Sequence, residues 1–350
     1  MNRPTARTTL APAAPVIVAD RLGRNLRDLR VSVIETCNYR CPYCMPADRT
    51  PEWTEHDHAN SSKRLGFAEI ETLVRSFVSL GVSKVRLTGG EPLLRRGLPD
   101  LVAQLAAIDG IDDLALTTNG SLLARHANAL ADAGLHRLTV SLDTLDPQRF
   151  AQLSGGRGRV DDVLAGIAAA GHAGFAAIKI NCVVQRGVND GDVLPLLEHF
   201  RGSAHVVRFI EYMDVGTCNR WQRDQVVPSA QLRDLIHQRW PLRALEPNYR
   251  GEVASRYAYA DGAGEVGFVS SVSEPFCGDC HRARLGADGQ LYTCLFAATG
   301  TPLREYINHG ELALQQRIVE TWVGRGDRYS ELRGNAPETG KRIEMFMVGG

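Results

Sequence analysis

The stretch Glu35-Thr36-Cys37-Asn38-Tyr39-Arg40-Cys41-Pro42-Tyr43-Cys44-Met45-Pro46 decides how the rest of the chain is read. It follows directly on a β-branched run from Leu29 to Ile34 that reads as a strand. Its cysteines, Cys37, Cys41 and Cys44, stand at Cys-x3-Cys-x2-Cys spacing. Iron-sulfur cubanes are held by cysteine thiolates at short spacings, normally four of them. Three ligands leave one iron open to a chelating small molecule. A zinc site is the alternative; it needs a fourth donor such as His56 or His58, and the x3-x2 spacing is unusual for zinc.

Outward from this loop the chain alternates strands and helices. Strands are expected at Leu29 to Ile34, Ser83 to Thr88, Leu114 to Thr118, Arg137 to Leu142, Ala177 to Val184 and Val206 to Tyr212. In the stretch 67 to 81, Phe67, Ile70, Leu73, Val74, Phe77 and Val78 recur at helical spacing and leave the charges on the other face. The intervals 98 to 108, 122 to 133, 161 to 173 and 192 to 200 read the same way. Successive β-then-α units imply a parallel sheet with right-handed crossovers. The strands end in polar or glycine residues: Thr36-Cys37, Thr88-Gly89-Gly90-Glu91, Thr117-Thr118-Asn119, Ser141-Leu142-Asp143, Lys179-Ile180-Asn181 and Glu211-Tyr212-Met213. Decorated ends around one mouth suit a barrel better than a doubly wound sheet.

The expected fold is therefore α/β, a partial (β/α)6 barrel of the TIM type. After Trp221 the pattern changes to a helix over 229 to 239, Gly-rich alternating segments over 249 to 270, further cysteines, and helices over 302 to 308 and 311 to 323. The expected division is a disordered leader over 1–22, the barrel over 23–222, an extension over 223–335 that closes the barrel mouth, and a tail over 336–350 ending Gly349-Gly350.

With 350 residues the chain can bury a sizeable core, and 44% apolar with 23% charged residues is a globular balance. Lys plus Arg equals Asp plus Glu at 40 each, so no overall field gathers nucleic acid or acidic membranes, and any anion site is local. No stretch is long and apolar enough to span a bilayer. Residues 1–20 lack an acid before Asp20, and Pro12 and Pro15 break the apolar centre a signal peptide needs. Eight cysteines in a chain of this size, six of them in two groups of three, point to metal binding in a reducing cytoplasm rather than to a disulfide framework. Cys182 and Cys218 lie outside both groups and read as small buried residues.

The second group is Cys277 and Cys280, at Cys-x2-Cys, with Cys294 after thirteen residues. Zinc is open here too, completed by His281 or His309, as is a redox-active pair. Beside it, Arg282 and Arg284 have period-two spacing, which on an extended segment points both guanidinium groups to one side. Such forks beside cluster ligands suit a polyphosphate.

The three-cysteine loop with Tyr43 just before its last cysteine resembles the signature of the radical S-adenosylmethionine (SAM) superfamily. That resemblance implies a [4Fe-4S] cluster whose open iron holds SAM, with Tyr43, Gly90, Ser141 and Met213 as SAM contacts. The whole layout, from Gly23-Arg24-Asn25-Leu26-Arg27-Asp28-Leu29-Arg30 to Cys277-Gly278-Asp279-Cys280-His281-Arg282-Ala283-Arg284-Leu285 and Gly349-Gly350, resembles the GTP 3',8-cyclase family of molybdenum cofactor biosynthesis. It implies a lyase with a second [4Fe-4S] cluster on Cys277, Cys280 and Cys294 that binds the guanine of GTP. Arg30, Arg86, Thr117, Lys179, Arg282 and Arg284 are then GTP contacts, with Lys84 and Arg208 as helpers. Arg282, Arg284, Gly349 and Gly350 become catalytic. In the implied reaction an adenosyl radical removes the 3' hydrogen of GTP, and the carbon radical attacks C8 of the same guanine. A homodimer, an electron donor of flavodoxin or ferredoxin type and a downstream cyclic pyranopterin monophosphate synthase are implied as partners. The alternatives are a radical SAM peptide-modifying enzyme with an auxiliary cluster, and a zinc-stabilised binding protein. The chain has Glu35-Thr36 where the family pattern has Asp-Arg, so no role is assigned there.

Overall fold

In the computed structural model, residues 17–45, 63–333 and 342–349 are described. The β-branched runs form β1 (Asp28–Ser32), β2 (Lys84–Thr88), β3 (Asp113–Thr118), β4 (Arg137–Ser141), β5 (Lys179–Val184) and β6 (Val206–Glu211). Between them lie α1 (Phe67–Ser79), α2 (Leu98–Ala106), α3 (Leu123–Asp132), α4 (Pro147–Leu153), α5 (Val160–His172) and α6 (Val193–Phe200). On α1 the periodic set is buried as its spacing demands, with Ile70, Leu73, Val74 and Phe77 fully covered. Helix α4 is an addition to the expected pattern. Its start is nonetheless written locally, since Asp146 accepts from the Arg149 amide and Pro147 occupies the first turn.

Strands β1 to β6 are parallel and neighbours in chain order, as right-handed β/α units dictate. The extension supplies α7 (Ser229–Arg239), β7 (Leu242–Leu245), β8 (Ser255–Tyr259), β9 (Glu265–Val269), β10 (Arg282–Leu285), β11 (Gln290–Tyr292), β12 (Thr301–Pro302), α8 (Glu311–Val323) and α9 (Tyr329–Leu332). It does more than follow the barrel: β9 joins β6 and β10 joins β1, both in parallel, so the parallel run reads β10-β1-β2-β3-β4-β5-β6-β9. Antiparallel β7–β8 and β11–β12 continue the two ends.

Burial alternates along these strands and separates two faces. Leu29, Val31, Val85, Leu87, Ile180, Val207 and Phe209 are buried; they form the layer between sheet and helices. The alternate positions, Arg30, Arg86, Lys179 and Arg208, face one cavity. Laid flat, eight strands at ~4.8 Å spacing would span ~34 Å, yet residues of β10, β1, β2, β3, β5, β6 and β9 line that single cavity. The sheet is therefore curled around a polar lumen, where a TIM barrel ordinarily packs apolar layers.

Glu211 fastens barrel to extension. Buried at the end of β6, its carboxylate accepts from the amides of Ser229, Val272 and Ser273 and from the Ser273 hydroxyl. Residues 17–22, read from sequence as the end of the leader, belong in part to this core: Val18 is buried and Asp20 is covered by Arg24 and Arg325. A partnered acid and an apolar neighbour hold the segment. Glu211→Ala leaves the buried Ser229 amide and the part-buried Val272 and Ser273 amides without their acceptor, and an orphaned buried donor costs roughly 1–3 kcal/mol; the urea midpoint of the variant should fall by an amount equivalent to ~2 kcal/mol or more, and a shift below ~1 kcal/mol would show that the strap carries no load.

Candidate active site

The site is built along β1. Cys37, Cys41 and Cys44 follow its C-terminal end, on a loop whose turn is closed by the amides of Cys44 and Met45 donating to the Cys41 carbonyl at 3.0 and 2.8 Å. Cys277 and Cys280 precede β10, whose first residue, Arg282, is level with Asp28 at the N-terminal end of β1. Cys294 follows β11. The two cysteine groups thus sit at opposite ends of the strands. From Asp28 to Ile34 is on the order of 20 Å of extended chain.

Each group is all-thiolate and mutually coupled. Burial, then the neighbouring Cys37 and Cys44, holds the Cys41 thiol well above its usual range, and burial with Glu91 pushes Cys37 to about 12. Burial would also raise Cys280, but Arg282 and Arg325 overcome it and bring the thiol to about 6. Soft thiolate sets select iron-sulfur clusters or zinc. Each group supplies three cysteines at short intervals and no other ligand type, a donor set that fits the iron corners of a cubane. His56 and His58 lie outside the described residues. The His281 ring nitrogen is 2.9 Å from the Asn25 carbonyl.

Against the second group lies a cavity of about 280 Å³, lined by Arg30, Lys84, Arg86, Lys179, Arg208, Arg282 and Arg284, with Thr117, Met213 and Cys277, Cys280 and Cys294; Cys37, Cys41 and Cys44 are not in its lining. Strand register does the gathering, setting Arg284, Arg30 and Arg86 side by side on β10, β1 and β2. Some of these cations are held. Arg86 donates to the hydroxyls of Thr117 and Thr139 at 2.9 and 3.0 Å, Arg208 to the Asn181 oxygen, and Lys84 to the Tyr249 hydroxyl at 2.8 Å. Arg30 and Lys179 find no hydrogen-bond partner among the described residues.

Crowding depresses their affinity for protons. Burial, then Arg284, Arg282 and Arg86, pushes Arg30 well below the ordinary guanidinium range. Burial, then Arg208, Arg137 and Arg86, brings Lys179 down to about 7; Arg208 falls to about 9 and Arg284 to about 10 for the same kind of reason. An anion among these cations would relieve their mutual repulsion.

The remaining sequence-derived positions cluster at the C-terminal ends of the strands. Gly90 donates to the Ile34 carbonyl at 2.7 Å, and a Cβ there would come within 2.0 Å of the Thr36 carbonyl oxygen, so only glycine lets β2's end lie against the cysteine loop. Tyr43 donates to Asp143 at 2.8 Å, beside Ser141 at the end of β4. The chain returns through α10 (Met345–Val348) to place the Gly349 carbonyl on the Arg284 guanidinium, with Gly349 packed against Thr88. Gly350 lies outside the described residues. Cys182 is buried, as read from sequence, whereas Cys218 is only half-buried, its thiol 3.5 Å from the Cys44 carbonyl. Glu35 forms a two-pronged pair with Arg64.

Sequence reading missed several participants. Glu91, buried and pushed up to about 7 by that burial, accepts from Asn119, Thr118 and Leu93 beneath the cysteine loop. Tyr249 covers Arg27 and Lys84 from the loop between β7 and β8. Arg24, Arg325 and Asp20 sit behind the second cysteine group. Glu91 and Arg24 lie in stretches that the sequence singled out without a role for them, whereas Tyr249 and Arg325 carried no local signal, since each acts through partners distant in sequence.

Comparison with known proteins bears on these features. Residues 31–200 match the model of the radical SAM superfamily, and residues 205–331 that of Molybdenum Cofactor Synthesis C. The chain is 65% identical to the GTP 3',8-cyclase of Xanthomonas axonopodis pv. citri (strain 306) over 95% of its own length and 98% of the relative's. It is 51% identical to that of Acidothermus cellulolyticus, covering 90% of this chain and 88% of the relative, and 42% identical to that of Staphylococcus carnosus, covering 95% and 99%. The solved structure of Streptococcus suis SuiB bound to S-adenosylmethionine superposes with a TM-score of 0.59 at 16% identity, over 90% of this chain and 70% of that one. Native anSMEcpe with bound AdoMet gives 0.56 at 13%, over 91% and 93%. These last two share the fold, and the close relatives share far more: the chain belongs to the GTP 3',8-cyclase family of radical SAM enzymes.

Proposed function

We propose that this chain converts GTP to (8S)-3',8-cyclo-7,8-dihydroguanosine 5'-triphosphate, the first step of molybdenum cofactor biosynthesis, with the cation-lined lumen as the GTP site. The observation that carries the site assignment is the set of seven Lys and Arg side chains, Arg284 buried and the rest half-buried, that face one cavity beside Cys277, Cys280 and Cys294. A triphosphate with about four negative charges satisfies them through charge-assisted hydrogen bonds in a shielded space.

Cys37, Cys41 and Cys44 hold the first [4Fe-4S] cluster in this reading, and Cys277, Cys280 and Cys294 the second. With SAM, the first cluster would supply the one-electron chemistry of the reaction. The protein's own task is placement. Gly90, Tyr43, Ser141 and Met213 would hold SAM in this reading. Arg30, Arg86, Thr117, Lys179, Arg282 and Arg284 fix the triphosphate and ribose, with Lys84 and Arg208 beside them, so that the sugar's 3' hydrogen is presented toward the first cluster. The tail orders Arg284 through Gly349, and Gly350 continues it. The lumen, walled by the extension on both sheet edges, keeps water from the reacting carbon.

The division into barrel (23–222), extension (223–335) and tail (336–350) belongs to the same reading, supported by the change from sequential parallel strands to flanking ones. So do a homodimer, a flavodoxin- or ferredoxin-type electron donor, a downstream cyclic pyranopterin monophosphate synthase and a cytoplasmic setting. No helix among the described residues is long and apolar enough to cross a membrane.

The test is anaerobic incubation of the reconstituted protein with SAM, dithionite and GTP, followed by identification of products. The cyclised nucleotide and 5'-deoxyadenosine in equal amounts are expected. Removing Gly349 and Gly350 should abolish cyclisation and leave SAM cleavage; an unchanged product yield would remove the tail from the site. Lys179 adds a pH signature. Its ammonium, brought down to about 7 by burial and the neighbouring arginines, would be raised by a triphosphate, so affinity is full below pH 7 and declines as the pH rises toward the bound-state value. Lys179→Arg should flatten that decline in calorimetric titrations from pH 6.5 to 9; an unaltered slope would place the titrating group elsewhere.

A further inference from the structure

Two arginines outside the substrate array hold the second cysteine group from behind. Arg24 and Arg325 each have side chains only 1% exposed, and Asp20 between them is fully covered. Arg24 pairs with Asp20 at 2.6 Å and Arg325 at 3.1 Å. Both then reach the cluster loop. Arg24 donates to the Cys277 carbonyl at 2.7 Å and the Asp327 carbonyl at 2.8 Å, and Arg325 donates to the Cys280 carbonyl at 2.7 Å. The Asp327 carboxylate accepts from the Thr293 hydroxyl at 2.6 Å, beside Cys294 in sequence. Trp322 braces the set, its ring 4.5 Å from the Arg325 guanidinium and its indole N–H on the Arg24 carbonyl at 3.0 Å.

The two buried guanidinium groups share the buried Asp20, and the partly exposed Asp327 carboxylate stands 3.7 Å from Arg325. Buried ion networks contribute little to stability by themselves, so the arrangement calls for another account. Arg24 Nη2 and Arg325 Nε are buried with no hydrogen-bond partner, the latter 3.7 Å from the Asp327 carboxylate. Both residues also line the cavity beside Cys277, Cys280 and Cys294. Buried guanidinium donors with no acceptor among the described residues, next to three cysteines, fit an anionic group seated on those thiolates.

We propose that Asp20, Arg24 and Arg325 are positioning residues for the second cluster. They lock the carbonyls of Cys277 and Cys280, and with them the directions of the thiolates, and their guanidinium groups beside the cluster favour its reduced form. The inference rests on the second cysteine group holding a cluster.

The test uses the full chain, reconstituted anaerobically, in three forms: the parent, Arg24→Lys and Arg325→Lys, which keep charge but lose the planar fork. Iron is counted, and each cluster is followed by electron paramagnetic resonance during a reductive titration. A background with Cys37, Cys41 and Cys44 changed to Ala isolates the second cluster's signal. The expected result is about eight irons in the parent, and in both variants an unchanged first cluster beside a second that is lost or has an altered spectrum and a lower midpoint potential. Arg325→Gln, which removes the charge, should lower that potential further. A parent-like second cluster in both lysine variants overturns the proposal. Equal loss of both clusters also overturns it, because the arginines would then serve only the fold. About four irons in the parent would instead overturn the two-cluster reading on which it stands.

Discussion

Like charges crowded inside a barrel repel one another, and every other feature of this molecule bends around that repulsion. Arg30, Lys84, Arg86, Lys179, Arg208, Arg282 and Arg284 face one lumen, and burial with mutual repulsion lowers the proton affinity of Arg30, Lys179 and Arg208. A sheet can tolerate this only if its stability comes from elsewhere. Here it comes from the outer face, where Leu29, Val31, Val85, Leu87, Val207 and Phe209 pack against the helices and are essentially inaccessible. Period-two alternation thus divides labour within each strand: one face carries the hydrophobic burial, and the other is released for binding.

The same strands set the spacing of the chemistry. Because β10 pairs with β1 in parallel and starts level with it, the second cysteine group lies at the N-terminal end of the strands and the first at the C-terminal end. The cation rows span the interval. Close backbone contacts keep the ends in place: Gly90 against Thr36, and Gly349 against Thr88 with its carbonyl on Arg284. Glu211 secures the extension that contributes β9 and β10. A ligand held at one end therefore meets one held at the other through a path whose length the barrel determines.

Much of this was legible beforehand, and for identifiable reasons. The six parallel strands and their principal helices announced themselves through period-two and helical spacing, and both cysteine groups through short, regular intervals. Period two at Arg282 and Arg284 likewise foretold an extended segment, found as β10. What could not be read was which strand that segment would join. Its pairing with β1 bridges some 250 residues of sequence and leaves no local mark. The Asp20–Arg24–Arg325 network and the Tyr249 cover were hidden for the same reason, because each joins residues from remote parts of the chain. The end of the leader was read too late because Asp20, an acid in a polar stretch, looks like a surface residue until its two arginine partners are seen.

The central claim is that the lumen is strained by its own cations and awaits a polyanion. Calorimetric affinities of the anaerobic protein for GTP, GDP, GMP and guanosine, measured at two salt concentrations, test it most directly. The account predicts a loss of about tenfold or more for each phosphate removed, as charge-assisted contacts of roughly 1.5–3 kcal/mol disappear, with salt dependence steepest for GTP. Guanosine binding as tightly as GTP would contradict it.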